Sequence, residues 1–271
     1  MPVDILLVTK GHGFDYGGFY AIFDDDPELH TTQVEQPAAQ VLLRPENVAA
    51  YDAVVFYDMW GVAPDANGQL AQPSDDYRRS VEALLDNGVG MVLMNHAMVQ
   101  WPGWPLWRTV HGSSFMYKPA TPEDEGVPRS GFRGGASEPE RNVDHFLSVV
   151  DPNHPVLQGL GEGFQMVDEG YLKTADFEND PDIVPLLRSD YDWVQENFKL
   201  PGGTPEELAN WQHPRGSNLI AWAKRSGNSP VVGSDAGDGP AGYANPQFRR
   251  FLSNAIHWVA SDEAKAWARG G

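Results

Sequence analysis

The stretch Val3-Asp-Ile-Leu-Leu-Val-Thr-Lys-Gly-His-Gly13 decides the fold, because it joins a buried strand to a glycine-rich loop. Val3 to Thr9 is an apolar, strand-length run, and the glycines from Gly11 onward break that pattern. Residues 51–57 and 89–95 repeat the pattern of an apolar run. Runs without polar alternation are typical of strands that are buried on both faces, so we predict the core of a parallel sheet.

A helix is predicted between the second and third of these strands. Ser74 is suited to cap its start, an apolar stripe follows at Val81, Leu84 and Leu85, and Gly88 ends it. A strand, a helix and a strand in this order form a right-handed crossover unit. We therefore predict an α/β fold, with a single doubly wound, flavodoxin-like and mostly parallel sheet, helices on both faces and long loops.

The rest of the chain fits one domain over residues 1–271. Residues 117–142 are rich in proline and glycine and predict an irregular insertion loop. Further short strands are predicted at residues 145–150, 183–187, 218–223 and 230–233, and a closing helix at 245–260. A loop of that length in a compact domain is a lid, a binding loop or a disordered excursion, and composition alone favours none of these.

Composition excludes several classes of function. The sequence has 19 Lys+Arg and 38 Asp+Glu, a formal net charge of −19, which would repel nucleic acid and anionic membranes. A neutral ligand such as a carbohydrate is compatible with it, as is an acidic surface that only maintains solubility. The absence of cysteine excludes disulfides and a thiol nucleophile. Neither a secretory segment nor a membrane span is recognisable, so we expect a cytoplasmic protein.

Polar residues follow four predicted strands, at the edge where a doubly wound sheet binds ligands. They are His12, Asp58, His96 and, after the strand near Gly233, Asp235 and Asp238. Histidines with carboxylates form either a divalent metal site, for example for zinc through His12 and His96, or an acid/base set. Each histidine is equally compatible with a structural cap or a buried, hydrogen-bonded imidazole.

Two further groups of residues are candidates. Asp168 and Glu169 lie in a predicted extended run, so their side chains point to opposite faces and we expect Glu169 alone to face the cleft. The catalytic candidates are therefore His12, His96, Glu169 and Asp238. Trp101, Trp104 and Trp107 have the character of a sugar-stacking platform, although Trp104 and Trp107 at this spacing are equally typical of core packing.

The segment Asn95-His96-Ala97 lies at a strand-to-helix junction, where related hydrolases and amidotransferases hold a nucleophile in a strained turn. Here an imidazole takes the place of a thiol, and no G-x-S-x-G pattern is present. Acyl-enzyme chemistry is therefore disfavoured.

Taken together, the sequence resembles the ThuA-like (trehalose utilisation) family, whose fold is similar to that of class I glutamine amidotransferases. The segments that carry the resemblance, in order, are Lys10-Gly-His12, Tyr51-Asp-Ala-Val-Val-Phe56, Leu84-Leu-Asp-Asn-Gly-Val-Gly90, Asn95-His96-Ala97, Asp151-Pro-Asn-His-Pro-Val-Leu-Gln-Gly-Leu160, Val167-Asp-Glu-Gly-Tyr171, Gly237-Asp238 and Tyr243-x-x-Pro246-x-Phe248-Arg249. Members of the family commonly have a histidine directly before the acidic residue that corresponds to Asp238. The present sequence has Gly237 at that position.

The resemblance implies a carbohydrate ligand, either a disaccharide or a keto sugar made by a partner sugar dehydrogenase. We expect an enzyme, a hydrolase, lyase or isomerase, that uses acid/base or metal-assisted chemistry and not glutamine amidotransfer. The alternative is a non-catalytic sugar-binding or regulatory module on the same scaffold. A homo-oligomer is compatible with either. The substrate-binding candidates are Lys10, Asp58, Trp60, Trp101, Trp104, Tyr171 and Tyr243.

Overall fold

The structure, a computed structural model, describes residues 2–64, 70–134 and 138–270. Its strands are β1 (Val3–Thr9), β2 (Leu29–Glu35), β3 (Ala53–Phe56), β4 (Gly90–Met94), β5 (Gly131–Phe132), β6 (Asn142–Val149), β7 (Gly163–Glu169), β8 (Tyr171–Leu172), β9 (Ile183–Ser189), β10 (Leu219–Ser226) and β11 (Ser229–Ser234). Its helices are α1 (Tyr16–Asp24), α2 (Ala39–Leu42), α3 (Pro45–Val48), α4 (Asp75–Asn87), α5 (Pro105–His111), α6 (Glu138–Arg141), α7 (Pro205–Asn210), α8 (Pro240–Ala244), α9 (Pro246–Ala260) and α10 (Asp262–Ala268).

One large sheet organises the chain, with the strand order β2-β1-β3-β4-β11-β10-β9-β6-β7. The pairs from β2 to β11 are parallel. The pairs from β11 to β7 are antiparallel. The predicted α/β class is confirmed, and the strands predicted in the C-terminal half form the antiparallel part of the sheet. Four reversals of direction between β11 and β7 make β7 parallel to β11, so their carboxyl ends lie at the same edge.

Apolar side chains cover both faces of the sheet, as predicted. In β1, Leu7 packs in one core with Phe19 of α1 and Phe251 of α9. Its neighbour Leu6 packs in a second core, with Leu84 of α4. Successive strand residues point to opposite faces, so a run of apolar residues requires helices on both sides.

The predicted helix boundaries are confirmed for the two most periodic helices. The Ser74 hydroxyl accepts a hydrogen bond from the Tyr77 N–H at the start of α4, and Gly88 ends that helix in the left-handed conformation with a φ of 75°. Asn245 caps α9 by accepting from the N–H groups of Gln247 and Phe248. Within the described residues, no helix is both long and apolar enough to span a bilayer.

The region predicted as an irregular insertion, residues 117–142, contains short regular elements. A 3₁₀ turn covers Pro122–Asp124, β5 pairs with β8, and α6 leads into β6. Residues 135–137 of this region lie outside the described residues. Because β5 pairs with β8 next to the end of β7, the insertion is attached to the edge of the sheet where ligands are expected.

Packing of α9 on β4 yields a stability prediction. A Cβ atom at Gly90 would lie 2.1 Å from the Val259 carbonyl oxygen, a backbone atom that cannot move alone. We expect Gly90→Ala to lower the free energy of unfolding by about 1–3 kcal/mol, a typical cost of overpacking. Urea denaturation followed by circular dichroism measures this change.

Gly17→Ala in α1 is the matched control, because its Cβ would meet only the Asp15 Oδ1 atom at an ordinary 3.7 Å. Equal stabilities of the two variants would contradict the close approach of α9 to β4.

Candidate active site

The candidate site lies at the edge of the sheet where β1, β4, β7 and β11 end. His12 follows β1, His96 follows β4, Glu169 ends β7 and Asp238 follows β11. The sheet order separates β11 from β7 by three strands, yet the loop after β11 reaches back to β7 through hydrogen bonds. Residues from four separate segments therefore meet in one cleft.

The cleft has a volume of about 320 Å³. Its chemically active lining comprises His12, Asp15, Asn95, His96, Arg141, Glu169, Tyr171, Asp238 and Tyr243. Phe14, Phe115, Tyr117 and Phe132 supply aromatic walls. The cleft therefore combines convergent polar groups with aromatic surface, as small-molecule sites commonly do.

The two histidines and Asp238 form the centre of the site. The His96 Nε2 atom lies 2.8 Å from the Asp238 Oδ1 atom, and the ring centroids of His12 and His96 are 4.0 Å apart. His96 is buried, whereas His12 lies at the exposed rim. The cleft is therefore lined by one buried imidazole and one exposed imidazole.

Both imidazoles favour the neutral form. Burial lowers the pKa of His96 to about 4, against the opposing charge of Glu169. Burial and the neighbouring His96 also lower the pKa of His12. At neutral pH each ring therefore offers a lone pair, which suits a base or a metal ligand better than a cationic acid.

Glu169 has the opposite perturbation. Burial, a hydrogen bond with Asp238 and the Asp238 charge raise the pKa of Glu169 to about 7, although the Tyr171 hydroxyl donates to it at 2.8 Å. A carboxyl group with a pKa near the working pH exchanges protons efficiently. Glu169 is therefore suited to general acid/base chemistry.

Asp168 supports the site from below. Its carboxylate is 2% exposed and accepts hydrogen bonds from the backbone N–H groups of Gly237, Asp238 and Glu169. The alternation along β7 thus turns Asp168 into the protein and Glu169 into the cleft, the orientation predicted for an extended segment.

The strained turn after β4 is centred on Asn95, one residue before the imidazole. Asn95 has a φ of 36° and is fully buried. Its side-chain amide donates to the Asp235 carbonyl oxygen, and its Oδ1 atom lies 3.3 Å from the Tyr171 hydroxyl. The position that holds the nucleophile in other α/β enzymes is therefore taken by an amide that binds neighbouring loops.

Three of the substrate-binding candidates line neither the cleft nor the cavity beside it. Lys10 is exposed and its Nζ atom pairs with the Glu35 Oε2 atom at 2.9 Å. Asp58 is fully buried and accepts hydrogen bonds from Gln36 at 3.0 Å and Gln100 at 2.7 Å. Trp60 is partly buried against one of the two cores. Pairing or burial removes these side chains from the set that the cleft presents to a ligand.

The remaining candidates divide between two cavities. Tyr171 and Tyr243 line the cleft, and the Tyr243 hydroxyl lies 2.6 Å from that of Tyr57. Trp101 and Trp104 line a separate adjoining cavity of about 290 Å³, which we call the aromatic annex. The other residues that line the annex include Met59, Val62, Met98, Val99, Gln100, Trp107, Arg108, Ser114, Phe115, Met116, Tyr117, Arg129 and Pro201.

Sequence reasoning missed three polar residues of the cleft. Asp15, Tyr117 and Arg141 line it, and within the described part of the chain Arg141 is the only lysine or arginine that does so. Arg141 ends α6, inside the region predicted as irregular, where no periodicity marks which side chains turn inward. Asp15 also caps α1, so a preference for capping residues was its only signal in the sequence.

The residues present fit a divalent metal. One ligand atom each from His12, His96 and Asp238 lies within 4.8 Å of the others, and both imidazoles favour the neutral, ligating form. Two histidines and one carboxylate are also a common protein ligand set of catalytic zinc, in which the remaining position is left for water or substrate.

The chain belongs to the ThuA family, described as trehalose utilisation, whose model matches residues 19–259. Among solved structures, a ThuA-like protein from Parabacteroides merdae has a TM-score of 0.64 at 16% identity, covering 96% of this chain and 91% of its own. A ThuA-like protein from Bacteroides uniformis has a TM-score of 0.61 at 16% identity, covering 96% and 93%. These two likenesses show the fold. No curated protein matches the sequence. Family membership indicates a carbohydrate-related role.

The buried Asp58 carboxyl yields a prediction about pH. Burial raises the pKa of Asp58 to about 7, against the hydrogen bonds from Gln36 and Gln100. The unfolded chain releases this proton near the ordinary pKa of about 3.9, so between pH 4 and 7 the folded state binds more protons. Stability therefore falls as the pH rises through this window, by at most about 1.4 kcal/mol per pH unit from this group.

We expect Asp58→Asn to reduce that slope in urea denaturation at pH 5, 6, 7 and 8. Asp151→Asn, at an exposed position, is the control and should keep the slope. An unchanged slope in Asp58→Asn would show that Asp58 ionises normally.

Proposed function

We propose that this protein is an enzyme that acts on a disaccharide or a keto sugar derivative in the cleft. The observation that carries the proposal is that His12, His96, Glu169 and Asp238 line one cavity of about 320 Å³. Family membership supports the carbohydrate. A keto sugar suits the cluster best, because a carbonyl group acidifies the adjacent C–H bond that a carboxylate can attack.

In the proposed reaction Glu169 moves the proton. Its carboxylate takes the proton from the carbon beside the keto group, and the electron pair of that C–H bond forms a C=C bond. The glycosidic C–O bond on the next carbon breaks, and the departing oxygen takes its electron pair together with the proton from Glu169. Asp238 supports this step, because its hydrogen bond and charge raise the pKa of Glu169 and make it a stronger base.

The histidines have a second role in this proposal. His12, His96 and Asp238 would hold a divalent metal such as zinc, and a bound metal would supply electrophilic stabilisation of a negatively charged oxygen. Because both rings favour the neutral form, a metal suits this position better than an imidazolium does. In the metal-free protein, His96 orients Asp238 through its Nε2 contact at 2.8 Å, and a bound metal would replace that hydrogen bond.

The proposal has consequences for pathway and location. A keto sugar must come from an oxidation, so a sugar dehydrogenase is the proposed partner in the same pathway. We propose a cytoplasmic location for this reaction. The alternative, a sugar-binding or regulatory module, is favoured by the absence of cysteine from the scaffold and predicts saturable binding without product.

Replacing Glu169 by glutamine tests the proton transfer. Glu169→Gln keeps the size of the side chain and removes its basicity, so we expect turnover of a keto disaccharide to fall by about 10²–10⁴-fold. Release of the free sugar, followed by chromatography, measures the rate. The keto derivative is compared with the unoxidised disaccharide, which should not react.

Glu162→Gln, at an exposed position in the turn just before β7, is the matched control and should retain full turnover. Wild-type activity in Glu169→Gln would remove Glu169 from the reaction. Binding of both sugars to the wild type without product would favour the binding module.

Elemental analysis tests the metal separately from activity. We expect about one divalent metal ion per chain in the purified wild type, and its loss in the His12→Ala/His96→Ala double variant, since two of three ligands are removed. The control is His30→Ala/His257→Ala, which changes two histidines outside the cleft. A wild-type protein that takes up no added zinc would contradict a metal role for this cluster.

A further inference from the structure

We propose that the aromatic annex binds an apolar, aromatic group of the same ligand whose sugar portion occupies the cleft. This inference rests on the proposed function and narrows its substrate class, from disaccharides in general to glycosides with an aromatic aglycone. The annex differs from the cleft in chemistry, and it adjoins the cleft in space.

The walls of the annex offer few groups to sugar hydroxyls. Trp101, Trp104 and Trp107 are 4%, 5% and 1% exposed, so they present only edges and small areas of apolar surface. Met98 and Met116 continue that surface. A hydroxyl group that is buried without a partner costs about 1–3 kcal/mol, so a sugar ring with several hydroxyls is disfavoured here.

Three of the polar side chains that line the annex are engaged within the protein, whereas the exposed Lys118 and the half-buried Ser114 also line it. Gln100 donates through its Nε2 atom to Asp58 at 2.7 Å. Arg108 forms an ion pair with the buried Asp124. Arg129 donates to carbonyl oxygens, including that of Gly202 at 3.2 Å. Because these three side chains are already paired, the annex matches an apolar ligand better than a sugar.

The annex and the cleft share one wall. Six residues line both cavities, namely Met59, Met98, Val99, Phe115, Tyr117 and Pro201. Within that wall, the Phe115 ring centroid lies 5.6 Å from that of Tyr171, whose hydroxyl donates to Glu169. The wall shared with the annex therefore contacts the residue that binds Glu169. The two shared methionines are flexible side chains that adapt to a bound ring.

The volume of the annex limits the size of the aromatic group. An apolar cavity of about 150 Å³ holds one benzene molecule. The annex, at about 290 Å³, is roughly twice as large. A bicyclic aromatic group is therefore the size of aglycone that this cavity fits.

The experiment compares ligands that differ only in the aglycone. Isothermal titration calorimetry measures the affinity of the methyl and the 2-naphthyl glycosides of one keto sugar, and of free 2-naphthol. Every protein in this comparison carries Glu169→Gln, so that the glycosides are not cleaved during the titration. We expect the naphthyl glycoside to bind at least tenfold more tightly than the methyl glycoside. Free 2-naphthol should bind and quench tryptophan fluorescence.

Two variants are designed to fill the annex. Val62 and Ser114 line the annex but not the cleft, so Val62→Trp and Ser114→Trp should each bring the affinity ratio of the two glycosides to about one. Val150→Trp, at a position that is 43% exposed and outside both cavities, is the control and should keep the ratio. Circular dichroism establishes that each variant is folded.

The outcomes separate the two proposals. Equal affinity of the Glu169→Gln protein for both glycosides, or a ratio that neither filling variant changes, would overturn the annex as a subsite. Binding of 2-naphthol that the filling variants abolish, together with no binding of either glycoside, would support the annex and contradict the sugar in the proposed function.

Discussion

The carboxylate of Asp168 is the interaction on which the site depends. It accepts hydrogen bonds from the N–H groups of Gly237 and Asp238 and thereby ties β7 to the loop after β11. Three strands lie between β7 and β11 in the sheet, and this contact spans them by joining the end of β7 to the loop that carries Asp238. Because the carboxylate is buried, its pKa is raised to about 7 despite these donors. Its burial and its three backbone donors make the connection a specific one, since no apolar side chain could satisfy the same N–H groups.

The site that results is organised by opposed pKa shifts. Burial favours the neutral form of every group, which lowers the pKa of His96 and raises that of Glu169. The neutral imidazoles of His12 and His96 provide metal ligands or bases. The carboxyl group of Glu169, whose pKa is raised to about 7, carries the proton. The net charge of −19 belongs to the surface as a whole, whereas the chemistry depends on this small, partly desolvated set.

Local patterns predicted most of the scaffold and part of the site. The apolar runs predicted β1, β3 and β4, and the alternation at the end of β7 predicted that Asp168 and Glu169 face apart. The same alternation explains why Asp58 lies outside the cleft. Tyr57 faces the core beside Tyr243, so the next side chain turns to the opposite side and is buried against Gln36 and Gln100.

Other features depend on tertiary contacts that no local pattern records. The carboxyl end of β7 lies at the same edge of the sheet as that of β11 because four antiparallel pairs separate the two strands. That strand order is set by packing across the whole sheet. The spacing of Trp101, Trp104 and Trp107 is compatible with a sugar-stacking platform and equally with packing in the core. Only the position of the intervening wall, with Phe115 and Met98, shows that Trp101 and Trp104 face a cavity of their own.

The strained turn after β4 shows how this scaffold can support chemistry without a nucleophile. Asn95 keeps a φ of 36°, a conformation that costs about 1–3 kcal/mol and persists only where neighbouring contacts impose it. Both ends of its amide are engaged, with Asp235 and with Tyr171, so the strain holds loops in place and exposes no reactive atom. Its consequence is positional, because the next residue, His96, is fixed against Asp238. Where a thiol at this turn would form a covalent bond, the present arrangement leaves proton transfer and metal binding to the side chains around it.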